Sequence, residues 1–484
     1  TPRSSSAASD VYKRQTINSG TTSIQNTTFD SCGLLKLINL DPPANMSNLT
    51  LNTCTGMEID GGSIDVSTLT IKDASDQFLV TKNSHSGTIS NFTIDTTVDH
   101  DLSFINMASG VSTEFSNVFI KGEFKYATSK NVLINRNDDT NITIPDLLIS
   151  ESLTLSDNIK LPSNIVVQTD GSLLCNGFTF TKESYASGNV TINTGSSSLQ
   201  NTVFDSCGLV KLVSLDSNAT MSSLTLNSCT GMEIDGGSID VSTLTIKDAS
   251  DQFLVTKNGH SGEISDFTID TTVDHDLSFI NMESGVSTEF NNVFIKGEFK
   301  YVTSKNVLIN RNDDTNITIP DLLISESLTL SDNIKLPSNL VVQTDGSLLC
   351  NGFTFSKESY APGNVTINTG SSSLQNTIFD SCGLVKLISL DSNATMSNLT
   401  MNTCIGMEIN GGSIDVSTLT IKDASDQFLV TKNGHSGEIS DFTIDTTVDH
   451  DLSFINMESG VSTEFNNVFI LSLIHISEPT RLHC

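Results

Sequence analysis

The segment Leu244-Thr245-Ile246-Lys247-Asp248-Ala249 decides the fold. Its alternating apolar and polar side chains are typical of a short β-strand with one buried face. The pattern returns along the chain, with its second apolar residue at Phe204, Leu226, Ile246, Ile269 and Ile295. A short strand that recurs at such a regular interval, roughly 20–26 residues, cannot bury its apolar face alone, so we expect it to stack on copies of itself.

Each interval carries two further strand-like pieces. The second pieces are Leu212-Val213, Met232-Glu233-Ile234, Phe253-Leu254-Val255 and Phe279-Ile280. The third pieces are Ser238-Ile239-Asp240, Glu263-Ile264-Ser265 and the region of Val286. Corner residues able to take a positive φ lie between them, at Gly208, Gly231, Gly236-Gly237, Asn258-Gly259, Gly262 and Gly285. The sequence therefore predicts an all-β fold, a right-handed parallel β-helix with three strands per coil and roughly 20 coils.

A second, larger period lies over the short one. Thr16-Ile17-Asn18 recurs at Thr191 and again, after an equal separation, at Thr366. We therefore divide the chain into copy 1 (16–190), copy 2 (191–365) and a truncated copy 3 (366–470). Residues 1–15 and 471–484 resemble translated sequencing-library adapters, and we expect neither end to be native.

The segment Glu298–Gly363 is less regular than the rest. Its apolar stretches come too close together for one strand per coil. Within it, we expect Ser327–Leu349 to form two consecutive strands and a turn. A small separate subdomain that joins two β-helical blocks is the alternative.

Cysteines recur at the coil interval. The pairs Cys32/Cys54, Cys207/Cys229 and Cys382/Cys404 all have the same spacing, and Cys175 and Cys350 stand alone. Stacked coils lie about 4.8 Å apart, which permits a disulfide between neighbouring coils. The preferred interpretation is a buried ladder of small apolar thiols.

Composition excludes several classes of partner. The chain has 25 basic and 56 acidic residues, a formal net charge of −31. Such a surface repels the phosphate backbone, so we expect no nucleic-acid partner. We also expect weak association of divalent cations and no cofactor. No segment approaches the ~18 apolar residues of a membrane span, so the sequence predicts none.

The pattern resembles the pectin-lyase-like superfamily of right-handed parallel β-helices. Phe204-Asp205-Ser206-Cys207 together with Gly236-Gly237-Ser238-Ile239 is similar to the repeats of polymorphic outer membrane proteins. Those repeats carry a Gly-Gly-Ala-Ile-like and a Phe-x-x-Asn tetrapeptide, from which this chain departs by Ser for Ala and Cys for Asn. The superfamily resemblance implies that polysaccharide hydrolases and lyases must be considered.

Three groups of residues are catalytic candidates by residue type, and none is predicted to be a site. Asp274-His275-Asp276, with Asp99-His100-Asp101 and Asp449-His450-Asp451, is expected to be a solvated loop. Asn258-Gly259-His260-Ser261-Gly262 is similar to a Gly-His-Gly motif of polygalacturonases, but the accompanying paired Asp and basic residues are missing. Arg311-Asn312-Asp313-Asp314 supplies an Asp pair, but far from His260 along the chain. We predict no catalytic, cofactor-binding or metal residues.

The sequence leaves three functional hypotheses. The favoured one is a secreted or surface-displayed β-helical repeat protein, an adhesin-like or structural spacer that contacts surface glycans or neighbouring surface proteins. Eleven Asn-x-Ser/Thr sequences, Asn48 and Asn398 among them, fit an extracellular location. The alternative is a fragment of a β-helical polysaccharide lyase or hydrolase. The least favoured is an ice-binding solenoid, suggested by the outward file Thr225, Thr245 and Thr268.

Overall fold

The fold consists of β-strands in two compact units. The computed structural model describes residues 14–18, 22–100, 103–126, 133–136, 143–193, 197–275, 278–301, 308–310, 319–330, 333–344, 346–368, 372–390, 394–447 and 453–472. The N-terminal unit is Thr1–Glu263 with Gly285–Thr288, and the C-terminal unit is Ile264–Ser284 with Glu289–Cys484. Over these described residues the units are parallel β-solenoids without helix, with about 18 turns in all. The predicted all-β solenoid is confirmed.

The strands are short and follow one another closely. Those of the N-terminal unit are Gln15–Asn18, Ser23–Asp30, Leu34–Leu40, Asn45–Asn52, Gly56–Gly62, Leu69–Lys72, Leu79–Lys82, Thr88–Thr96, Asp99–His100, Ile105–Met107, Glu114–Tyr126, Ile134–Asn135, Leu147–Ile149, Ser152–Leu155, Ile159–Leu161, Ile165–Val167, Ser172–Leu174, Thr179–Lys182, Val190–Asn193, Val203–Asp205, Leu209–Val213, Leu224–Asn227, Gly231–Asp235, Val241–Lys247 and Leu254–Lys257. Those that follow are Glu263–Thr271, Asp274–His275, Ile280–Met282, Glu289–Tyr301, Ile309–Asn310, Leu322–Ile324, Ser327–Leu330, Ile334–Leu336, Leu340–Val342, Ser347–Leu349, Thr354–Lys357, Val365–Ile367, Ser373–Gln375, Ile378–Asp380, Leu384–Ile388, Thr395–Ser397, Leu399–Asn402, Gly406–Asn410, Leu419–Lys422, Leu429–Lys432, Glu438–Ile439, Phe442–Thr446, Ile455–Met457, Glu464–Phe465 and Val468–Ser472.

The strand register confirms the coil interval read from the sequence. Phe204 lies beside Leu226, and Leu226 beside Ile246. The equivalent residues of copy 1 form a column of their own, through Leu51, Ile71, Ile94 and Ile120. In the C-terminal unit the column is Met401, Ile421, Ile444 and Ile470. Every step in these columns is a parallel pairing, so the apolar face of each strand is covered by the same face of the next.

The predicted third strand-like pieces do not form strands of their own. Ser238-Ile239-Asp240 is not a strand, and the pairing residue is Val241, which bridges Met221. The region of Val286 is likewise not a strand, since the next one begins at Glu289. Glu263-Ile264-Ser265 does lie in a strand. The error arises because Ile239 is buried without being paired, so its apolar character does not mark the strand.

The irregular segment carries more strands than predicted. Residues 327–349 form four strands rather than two. Ser327–Leu330 pairs in parallel with Ser347–Leu349, so this stretch completes one coil. Leu340–Val342 then pairs with Val365–Ile367 of the following coil. Each of these strands has only three or four residues. That is too few alternating apolar and polar residues for the sequence pattern to separate one strand from the next.

Corners of the coil are formed by residues in the left-handed region. Asn26 and Asn48 have φ of 49° and 51°, and the Asn48 amide donates to Asn26 Oδ1 at 2.8 Å. The same bond joins Asn398 to Asn376. Asparagine tolerates this conformation, and its side-chain oxygen accepts a hydrogen bond from the side-chain amide of the corner asparagine in the next coil. Gly262 was predicted to be such a corner, but its requirement is space: a Cβ there would overlap the Ile239 carbonyl oxygen.

Phenylalanine rings stack inside the coils. The rings of Phe180 and Phe204 are 5.2 Å apart and inclined by 18°, and those of Phe355 and Phe379 are 5.4 Å apart and inclined by 13°. All four side chains are completely buried. Offset stacks of this kind add to the burial of apolar surface, so they hold consecutive coils together.

Phe204→Ala should destabilise the N-terminal unit by about 3–5 kcal/mol, because it removes a buried ring and leaves a cavity against Phe180. Chemical denaturation followed by circular dichroism measures the change. Thr225→Ala, on the outward face of the neighbouring strand, is the control and should stay within about 0.5 kcal/mol of wild type. Equal effects of the two variants would contradict the assignment of inward and outward faces.

Candidate functional site

The Gly-His-Gly-like histidines lie inside the solenoid. His260 is completely buried; its Nδ1 is 2.8 Å from Thr288 Oγ1 and its Nε2 is 3.2 Å from the Ile239 carbonyl. His85 and His435 make the same two contacts in their copies. With Nε2 as the donor to the carbonyl, Nδ1 accepts the threonine hydroxyl proton, so a neutral imidazole satisfies both bonds. Burial lowers the pKa of each of these histidines, and the nearby Asp65, Asp240 and Asp415 only partly oppose it.

Stability should fall as pH decreases from 7 to 5. Above the unfolded pKa of about 6.5 these three histidines are neutral in both states. Below it the unfolded chain takes up protons first, because the folded pKa is lower, so the folded state is progressively disfavoured. Each histidine contributes a slope of at most about 1.4 kcal/mol per pH unit. Denaturant midpoints measured across this range test the prediction.

A His435→Gln variant isolates one of the three contributions. Its pH slope between 7 and 5 should be shallower than that of wild type, whatever its absolute stability. Carboxylates held below their ordinary pKa, such as Glu58, act at more acidic pH and do not interfere. A wild-type midpoint that rises on acidification would contradict the prediction.

The Asp-His-Asp trio is extended where the structure describes it. Asp99–His100 is a short strand that pairs with Lys125 and Tyr126, and Asp274–His275 pairs with Lys300 and Tyr301. The expected loop is therefore wrong for these residues. The third residues, Asp101 and Asp276, and all of 449–451 lie outside the described residues, as does 311–314.

The threonine file is in register but short. Thr225 lies beside Thr245, and in copy 1 the file runs through Thr28, Thr50, Thr70 and Thr93. The next position after Thr93 is Phe119. In the C-terminal unit the equivalent file is Thr400, Thr420 and Thr443. Ile378 precedes it in the register and Phe469 follows it. It is thus a single column of three or four hydroxyls, each partly exposed, with an apolar residue above it.

The eight described cysteines are free thiols, seven of them buried. Five of the six in the stacked pairs donate to the carbonyl of a phenylalanine one coil earlier, as in Cys229 to Phe204 at 3.2 Å and Cys207 to Phe180 at 3.3 Å. The structure agrees with the inward thiol ladder. Burial raises the pKa of Cys175 and of Cys350 to about 12.

Native protein should react with a thiol reagent at no more than two cysteines. Seven of the eight described cysteines are buried, which leaves Cys32 and, outside the described residues, Cys484. A thiol with a pKa near 12 carries almost no thiolate at pH 8. Counting absorbance-detected thiols before and after denaturation gives the numbers, and all nine should react once the chain is unfolded. A mass spectrum of the non-reduced protein that shows disulfides between coils would refute this prediction.

Lysines alternate with carboxylates on one outer face. Lys211 Nζ is 2.8 Å from Glu233 Oε1 and 2.8 Å from Asp235 Oδ2, and Lys257 Nζ is 2.9 Å from Glu233 Oε1. Partial burial would raise the pKa of Asp235, but hydrogen bonds from Lys211 and Asn258 hold it below its ordinary value. These partly exposed pairs neutralise charge locally and add little stability each.

A pocket of about 390 Å³ opens among three connections of copy 1. It is lined by Arg136, Thr143, Ile144, Pro162, Ser163, Tyr185, Ala186 and Ser187. The Arg136 side chain is only 6 % exposed, and its guanidinium carbon lies 3.4 Å from the centre of the Tyr185 ring. A planar cation over an aromatic face is a favourable contact.

The sequence patterns do not predict this pocket, although one signal is present. Arg136 and Arg311 are the only arginines between residues 16 and 470, and they occupy equivalent positions in copies 1 and 2. An arginine that recurs in a chain poor in arginine should be tested for a specific role. The lining residues come from three separate connections, so their proximity follows from the coil and not from any local motif.

No family model, curated protein or solved structure matches the chain. Among the described residues there is no cluster of His, Cys, Asp or Glu that could hold a metal ion. That part of the chain also has no helix long and apolar enough to cross a membrane.

Proposed function

We propose that the chain is a secreted or surface-displayed β-helical repeat protein, an adhesin-like or structural spacer of the right-handed, pectin-lyase-like type with three strands per coil. The observation that carries the proposal is the repetition of outward polar columns in register. Thr50, Thr70 and Thr93 recur as Thr400, Thr420 and Thr443, on strands with the same pairings.

Repeated columns favour contacts that are individually weak. A side chain placed identically in several coils offers a surface glycan or a neighbouring protein several equivalent positions, and linked contacts gain by avidity. Stacked polar side chains that bond to each other, such as Asn48 with Asn26, keep these columns ordered. The same regularity suits a spacer, since adding coils changes length without changing the surface.

The competing hypothesis is a fragment of a polysaccharide lyase or hydrolase. Such chemistry requires carboxylates that converge on a sugar bond. His260, the residue that suggested it, is buried against Thr288. Ice binding is less favoured, because each threonine column is single and is followed by an apolar residue such as Phe119.

Two measurements separate the hypotheses. An antibody against the full chain should label intact, unpermeabilised cells of the source or their medium; label confined to the cell interior would refute the proposed location. The purified full chain should release neither reducing ends nor unsaturated products from pectin- and alginate-type polymers. Clear release would favour the enzyme and overturn the spacer.

Adhesion itself is tested with beads that carry the full chain at increasing density. If weak contacts add, retention on glycan-coated or cell surfaces should rise more steeply than in proportion to density. Proportional retention at all densities would remove the adhesive part of the proposal.

A further inference from the structure

The N-terminal unit begins, and the C-terminal unit ends, with a coil whose strands lie at the edge of their sheets. At the beginning these strands are Gln15–Asn18 and Ser23–Asp30, and at the end they are Ile455–Met457, Glu464–Phe465 and Val468–Ser472. Within the described residues, each of them pairs with a strand on one side only. The other edge therefore offers backbone amides and carbonyls to a further strand.

Apolar side chains that belong to the interior are exposed on the last coil. Met457 is 44 % exposed and Ile470 is 60 % exposed. Their equivalents in copy 2, Met282 and Ile295, are 0 % and 2 % exposed. The difference arises because strands of a following coil pair beside the copy 2 residues. Covering an exposed apolar side chain is favourable, so this coil gains stability from a partner.

Three interior columns end on the last coil. Their final members are Met457 beside Thr431, Phe465 beside Ile439, and Ile470 beside Ile444. We call Met457, Phe465 and Ile470 the C-terminal face. A partner that continues the fold must place an apolar residue over each of the three, on a strand that runs parallel to them.

The first coil carries a matching set. Ile17, Ile24 and Phe29, which we call the N-terminal face, pair with Leu37, Met46 and Leu51 of the next coil. Their equivalents in copy 3 are Ile367, Leu374 and Phe379, which begin the same three columns that the C-terminal face ends. The two faces therefore show the same three columns in the same order.

Copy 3 also shows that such a face accepts an apolar cover. Ile367 lies beside Val342 of the preceding coil, and Phe379 lies beside Phe355. Both Ile367 and Phe379 are completely buried by this contact. The identical residue types of the N-terminal face, Ile17 and Phe29, are partly exposed.

We propose that the C-terminal face of one chain binds the N-terminal face of a second copy. Parallel pairing then places Ile17 over Met457, Ile24 over Phe465, and Phe29 over Ile470. All six residues lie between positions 16 and 470, outside the adapter-like ends. The contact joins two different faces, so it is heterologous and leaves one free face of each kind for further copies. It does not depend on whether the protein is an adhesin.

Sedimentation velocity of the purified full chain tests the association. Dimers and larger species should appear as the protein concentration rises, because a heterologous contact does not close. Added salt should favour them, since the net charge of −31 makes two copies repel each other. A chain that stays monomeric at every concentration and salt would overturn the proposal and leave the face to a further segment of a longer chain.

Lysine substitutions locate the contact. Phe29→Lys and Ile470→Lys each place a charge among the apolar columns, and each should weaken association at least about tenfold. Val98→Lys changes an apolar residue that is 37 % exposed but belongs to neither face, so this matched control should associate as wild type does. Unchanged association in both face variants would refute the proposal.

A mixture of the two face variants tests the direction of the contact and guards against misfolding. Phe29→Lys keeps its C-terminal face, and Ile470→Lys keeps its N-terminal face. An equimolar mixture should form dimers and nothing larger, while each variant alone stays monomeric. A mixture that remains monomeric would contradict the pairing of these two faces, and so would dimers of either variant alone.

Discussion

Parallel backbone pairing from one coil to the next is the constraint on which the rest of the structure depends. A strand this short cannot stand alone, because its amides and carbonyls need partners on both sides. Here they find them in the coils that precede and follow, as Leu224–Asn227 does in Val203–Asp205 and Val241–Lys247. The pairing fixes each residue beside its counterpart about one coil away, so equivalent side chains form columns.

Columns work differently inside and outside. Inside, apolar side chains of consecutive coils pack on each other, as Phe180 does on Phe204. The Cys207 thiol donates to the carbonyl of Phe180. Outside, like charges in a column would repel each other, and the chain instead places Lys211 beside Glu233 and Asp235 beside Lys257. Corner asparagines are a third case, because an amide can donate to and accept from its own kind, as Asn48 does with Asn26.

Buried polar side chains lie where a coil does not simply place an apolar residue on an apolar residue. His260 fills an interior position but needs both Thr288 and the Ile239 carbonyl to satisfy its ring nitrogens. Arg136 is buried beside connections rather than within a column, and its neighbours are a ring and hydroxyls. The first arrangement is satisfied by the protein itself, which makes it a structural element. The second lines a cavity of about 390 Å³.

The sequence by itself determined the strand type, the coil interval and the inward column, because alternation in Leu244–Ile246 and its recurrence are local properties. It did not determine the pairing of Val241, the four strands of 327–349, or the pocket. Val241 is recognisable only by its pairing with Met221, since Ile239 is equally apolar and equally buried. Likewise Arg136, Ser163 and Ser187 lie on different coils, far apart along the chain. Only the winding of successive coils brings them together, because proximity across coils depends on register, which no short stretch of sequence encodes.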